Sequence, residues 1–102
     1  DALRACVELV EADPAKLIHR NSFTLASMSF TPEIICAEIK KRLPAFTMDY
    51  NVDPVKKEIA ESWPNSLDDT CAREEWGWRP EWDLSRMTDD MLAHIRAKLG
   101  AE

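Results

Sequence analysis

IAESWPNSLDDTCAREEWGWRP, residues 59–80, carries more local instruction than any other stretch of this chain. Ser62-Trp63-Pro64 is a turn stiffened by proline. Ser66, followed three residues later by Asp69, has the spacing of a capping box and starts a helix over residues 67–76. Gly77 can take the left-handed backbone that ends such a helix, with Trp78 placed to fold back as its apolar partner. Pro80 bars resumption. Signals this dense specify a shaped surface rather than a generic helical domain.

Upstream, Leu3, Cys6, Val7 and Val10 fall at i, i+3, i+4 and i+7, an apolar stripe on a helix ending near Asp13-Pro14. Phe23 and Leu25 alternate with polar neighbours over residues 22–27, the pattern of a short strand. Thr31 then suits the N-cap and Pro32 the first position of a second helix. Its buried line is Ile35, Ile39 and Leu43, and Lys40, Lys41 and Arg42 crowd the end where cations are favoured. Phe46, Met48 and Tyr50 alternate as a second strand. Strand, helix and strand at this spacing predict a right-handed parallel βαβ unit. Asp53-Pro54 opens a short helical turn, and Met87, Met91, Ile95 and Leu99 recur at steps of four on a last helix before Gly100. The predicted fold is α+β: a small, mostly helical lobe on a two-stranded parallel sheet.

The chain has 102 residues, enough for one domain or part of one. Its net charge of −6 argues against a nucleic-acid or anionic-membrane surface, since both need a basic face. Residues 51–102 hold 12 of the 19 acidic side chains, mostly at helix starts, as a solvated surface does. Cys6, Cys36 and Cys71 are odd in number and widely spaced, which fits a reducing, intracellular compartment and thiols used as small apolar fillers. No apolar run reaches membrane length and no signal peptide is visible. The chain opens at Asp1 straight into helical pattern, more like a cut through a longer protein than a natural start.

Few residues invite a chemical role. His19 and His94 lack ligand spacing to each other or to a cysteine, so no metal site is expected. Ser62 lacks the glycine-flanked elbow of hydrolases and reads as a turn former. Asp68 and Asp69, at a helix start, are capping groups before they are an acid–base pair. Met87 and Met91 read as core fillers. All four tryptophans lie between positions 63 and 82. Trp76, Trp78 and Trp82 suit a core role, whereas Trp63 in its proline-locked turn fits a core or a pocket equally well. Two glycines cannot build a dinucleotide-binding loop, and Tyr50, the one tyrosine, is followed at position 54 by proline, so no Tyr-x-x-x-Lys pair exists.

Taken together, Ser29-Phe30-Thr31-Pro32-Glu33, Ile59-Ala60-Glu61-Ser62-Trp63-Pro64, Leu67-Asp68-Asp69, Ala72-Arg73 and Trp76-Gly77-Trp78 resemble the C-terminal third of L-threonine 3-dehydrogenase. The form is that of the short-chain dehydrogenases/reductases, related to sugar-nucleotide epimerases. The resemblance covers nearly the whole chain, with departures at Lys56-Lys57, Glu61 and Ser22-Phe23. It implies oxidation of L-threonine to 2-amino-3-ketobutyrate with NAD. An N-terminal Rossmann domain would hold the cofactor and supply the catalytic residues, none of which has a counterpart here. Residues 1–102 would be the substrate-binding lobe, inactive alone and part of a homodimer when joined to that domain. The expected location is the cytoplasm of a bacterium or the mitochondrion of a eukaryote. The residue implied to touch substrate is Trp63, with Ser62 and Pro64 setting its pose. The competing expectation is a non-catalytic binding or interaction module that keeps the lobe's fold.

Overall fold

Five helices and one 3-10 turn account for the regular structure of residues 1–100, which the computed structural model describes. They are α1 (Ala2–Glu11), a 3-10 turn (Pro14–Lys16), α2 (Pro32–Lys40), α3 (Pro54–Glu61), α4 (Thr70–Trp76) and α5 (Leu84–Leu99). The chain divides into two compact units. One joins Asp1–Ser27 to Asn65–Trp82, and the other joins Met28–Pro64 to the chain from Asp83 onward.

In the first unit the core is small: Ala5 of α1, Ala72 of α4 and Trp78, with Phe23, Leu25 and Trp76 packed against them. Trp78 is the largest fully buried side chain, and its indole N–H donates to the Ala26 carbonyl at 3.1 Å. Phe23 meets Trp76 edge-on at 6.0 Å between centroids, and Trp76 lies 5.8 Å from Trp78. Arg4 of α1 stacks over the Trp78 ring at 4.8 Å and donates to the Arg79 carbonyl at 2.6 Å. Asp1 accepts from the backbone N–H groups of Glu81 and Trp82, tying the start of α1 to the segment beyond α4.

The end of α4 follows the sequence. Gly77 stands at φ 77°, and its N–H and that of Trp78 both donate to the Ala72 carbonyl. A left-handed residue here turns the chain so that Trp78 falls into the core. The start of α4 does not follow it. The helix begins at Thr70, three residues later than expected, and Asp68 rather than Ser66 engages its first turn, accepting from the Thr70 N–H at 2.9 Å. Aspartate competes for nearby backbone donors as well as serine does, and the one nearer the helix prevails.

In the second unit α2 packs on α5. Thr31 caps α2 by accepting from the Ile34 N–H, and Pro32 occupies the first turn. Arg42 binds the two helices. It pairs with Glu38 on α2 and with both carboxylate oxygens of Asp89 on α5, and its Nη2 reaches Ser85 Oγ at 2.6 Å. Glu38, nearly buried, is held below the usual carboxylate range by Lys41 and Arg42.

The predicted two-stranded parallel sheet is corrected by the structure: no strand occurs among the described residues. Around residues 22–27 the chain is anchored by side chains instead, with Trp78 donating to Ala26 and Ser27 Oγ donating to the Trp82 carbonyl at 2.7 Å. Near residues 46–50, Phe46 closes a turn onto Leu43, and the Tyr50 hydroxyl donates to Glu33 at 2.7 Å. Alternation marked which side chains pack, as it does for strands, but it did not specify a ladder partner.

Candidate functional site

The Ser62-Trp63-Pro64 turn is set by the helix that precedes it. Asp53 caps α3 by accepting from the N–H groups of Val55 at 3.0 Å and Lys56 at 3.2 Å, and Pro54 occupies the first turn, where its missing N–H costs nothing. At the other end the Ser62 N–H donates to the carbonyls of Glu58 and Ile59, and its hydroxyl donates to Ile59 at 2.6 Å. The Trp63 N–H continues the turn to Ala60 at 3.2 Å. Ser62 is therefore occupied as a helix stop, in keeping with its reading as a turn former. Trp63 is presented outward, 69% exposed. Among the described residues no ring or hydrogen-bond partner engages its indole.

The surroundings of Trp63 are unusual for a protein interior or an ordinary surface. Every residue from 49 to 68 is exposed, including Val52, Val55 and Ile59. Val55 and Ile59 lie four apart on α3 and so share a face. An eight-residue helix has little stability of its own and normally depends on packing of its apolar face. At the start of α3 an open depression of about 730 Å³ is lined by Asn51, Val52, Asp53, Pro54, Lys56 and Lys57. Ser62, Trp63 and Pro64 do not line it, so the structure places the three expected substrate residues together on the turn and apart from this hollow.

Other candidates from the sequence resolve into structural roles. The Tyr50 hydroxyl donates to Glu33, which pushes the tyrosine pKa up and the glutamate below its ordinary range. A proton-transfer tyrosine needs the opposite shift. Asp68 is lowered by the Thr70 hydroxyl and N–H, and Asp69 by the Arg73 guanidinium at 2.7 Å. Both are settled anions, not a pair sharing a proton. Met91 is exposed rather than a core filler, and Thr88 is the buried residue of α5. Of the cysteines only Cys36 is a buried filler; Cys6 and Cys71 are exposed. The two glycines both end helices, Gly77 after α4 and Gly100 after α5, so the chain's residues do not fit a dinucleotide-binding loop. No helix among the described residues is long and apolar enough to cross a membrane.

One association was invisible in the sequence. His19 Nδ1 pairs with Glu75 Oε1, although 55 residues separate them along the chain. The 3-10 turn and the aromatic packing of Phe23 bring the two together, and only tertiary structure could show it.

No protein-family model matches the chain. It is 51% identical over all 102 residues to an uncharacterized epimerase/dehydratase of Staphylococcus saprophyticus, of which it covers 32%. Among solved structures, L-threonine dehydrogenase from Clostridium difficile superposes with a TM-score of 0.88 at 50% identity, over 95% of this chain and 30% of that one. The holo form of a GalE-like L-threonine dehydrogenase from Cupriavidus necator gives 0.85 at 45% identity, over 92% of this chain and 30% of that one. The chain spans about a third of the length of the curated relatives it matches. It is thus similar to the C-terminal part of epimerase/dehydratase-like dehydrogenases of Rossmann type.

Proposed function

We propose that this chain is the substrate-side lobe of an NAD-dependent L-threonine 3-dehydrogenase, with Trp63 as its substrate-contacting residue and Ser62 and Pro64 fixing the ring's pose. The observation that carries the reading is α3 with its turn: a capped helix whose apolar face and terminal tryptophan are all left bare. A single protein rarely maintains such a face unless something covers it. The lobe's similarity to part of longer dehydrogenases supports a cover of this kind, which in this reading is a cofactor domain on the same polypeptide. NAD belongs to that domain in this reading, and the hydride step with it. This chain's own contribution is to position the amino acid and exclude water from it.

The chemistry of the turn suits the task. L-threonine presents an ammonium, a carboxylate and a small apolar methyl. An indole face attracts the ammonium, its N–H can donate to an oxygen, and its edge packs on the methyl. Proline and the Ser62 hydrogen bonds hold the backbone of the turn where the helix ends, so little backbone freedom is lost when substrate arrives.

The test is steady-state kinetics on the complete dehydrogenase polypeptide. Trp63→Ala is expected to lower kcat/KM for L-threonine by about tenfold or more, with the melting temperature nearly unchanged. Unaltered kinetics would remove Trp63 from the pocket. Absence of threonine-dependent NAD reduction by the parent would remove the assignment itself.

A further inference from the structure

The first unit carries a cluster that positioning of threonine does not use. Cys71 and Glu75 stand one turn apart on α4, so they project from the same side of the helix. The segment after the 3-10 turn adds His19, and one ligand atom from each of His19, Cys71 and Glu75 lies within 4.8 Å of the other two. We propose that these three side chains form a binding site for one zinc-like divalent transition-metal ion.

The glutamate is already held as a metal-ligating carboxylate usually is. Its Oε2 accepts from the backbone N–H groups of Ile18 at 2.8 Å and His19 at 3.0 Å, which leaves Oε1 directed at the His19 ring. The Glu75 side chain is 6% exposed, so its position is fixed by the fold. Outer hydrogen bonds of this kind orient a ligand and tune its basicity. His19 and Cys71, by contrast, are exposed, giving the ion a route in and leaving a fourth position for water.

The donor set selects the ion. Nitrogen, sulfur and a single carboxylate oxygen suit zinc or cobalt, whereas magnesium and calcium require oxygen donors throughout. Ligands about 2.0–2.3 Å from a tetrahedral ion stand roughly 3.3–3.8 Å from one another. The adjustment to that spacing falls to His19 and Cys71, whose side chains are exposed, since Glu75 is held by the backbone. The ion takes the place of the contact between His19 Nδ1 and Glu75 Oε1, and the Cys71 thiol gives up its proton to solvent. Once bound, the ion would clip the segment around residue 19 to α4.

Titration of the reduced, metal-free protein with zinc by calorimetry, and with cobalt as a spectroscopic probe, tests the proposal. One equivalent is expected, with a thiolate-to-cobalt charge-transfer band. Cys71→Ser and His19→Gln should each weaken binding about tenfold or more, and Cys6→Ser should not. Both informative positions are exposed, and thermal melting without metal verifies their folding. In the unsubstituted protein, zinc should also slow alkylation of Cys71. Binding by Cys71→Ser equal to the parent, no uptake of either ion, or alkylation of Cys71 unaffected by zinc would each overturn the assignment.

Discussion

Two tryptophans of this chain sit at opposite extremes of burial, and their contrast predicts opposite consequences for stability. Trp78 is 1% exposed, makes a hydrogen bond through its indole and lies under Arg4. Trp78→Ala should cost about 3–5 kcal/mol, the range for truncating a buried tryptophan, read as the shift in denaturant midpoint. Trp63→Ala should change stability by no more than about 0.5 kcal/mol, because its ring is engaged by nothing among the described residues. The sequence grouped all four tryptophans and left Trp63 open between core and pocket; burial distinguishes them. Gly77 was fully legible, since a left-handed helix stop leaves glycine as the natural choice. Nothing lies within 4 Å of a side chain added there, so the cost of Gly77→Ala is one of backbone conformation alone, about 1–2 kcal/mol in a melting experiment.

Among the helices, the starts of α2 and α3 and the stops of α4 and α5 were readable, whereas the starts of α4 and α5 and the buried faces were not. Thr31, Asp53 and Asp83 cap α2, α3 and α5 through their own side chains, as short polar residues before a helix do. Removing the Asp53 cap by Asp53→Ala should lower stability by about 1 kcal/mol, while Ser66→Ala should be silent, since Ser66 does not cap α4. The apolar stripe of α1 was legible as a stripe, but Leu3, Val7 and Val10 point to solvent and the buried residue is Ala5. Periodicity finds an apolar face without saying what covers it. The same limit explains the missing sheet, whose segments are tied down by side chains.

Ion pairs add a pH dependence at the same scale. Glu38 is lowered chiefly by Lys41 and Arg42. Burial of Glu75 raises its carboxyl, but hydrogen bonds from the His19 ring and from the backbone of His19 and Ile18 outweigh it, leaving it below its ordinary value of 4.5. A carboxylate lowered in the folded state contributes stability above its unfolded pKa and loses it as pH falls through the folded one. The denaturant midpoint should therefore hold above about pH 5 and fall below about pH 4.5. Arg42→Ala, which unties α2 from α5 and leaves Glu38 poorly compensated, should lower the melting temperature clearly and flatten that acid loss.

For the whole molecule, the two units share one property when each is taken by itself: little core and much bare apolar surface. The first buries Ala5, Ala72 and Trp78 while Leu3, Val10 and Ile18 are exposed; the second buries Cys36 while Val55, Ile59, Ile95 and Leu99 are exposed. A protein of this kind should bind hydrophobic dyes and self-associate when isolated, measurable by dye fluorescence and sedimentation. The family resemblance was legible because its motifs are local and ordered along the chain. The His19–Cys71–Glu75 cluster was not, because it draws on residues far apart in sequence and on the packing of Phe23 and Trp76. Amide hydrogen exchange across residues 49–68, compared between this chain alone and the longer dehydrogenase polypeptide that the proposed function requires, tests the proposed incompleteness of the lobe most directly. Fast exchange over α3 in the isolated chain and strong protection in the complete polypeptide is the predicted result. Equal protection in both would contradict it, showing that α3 needs no other domain to cover its apolar face.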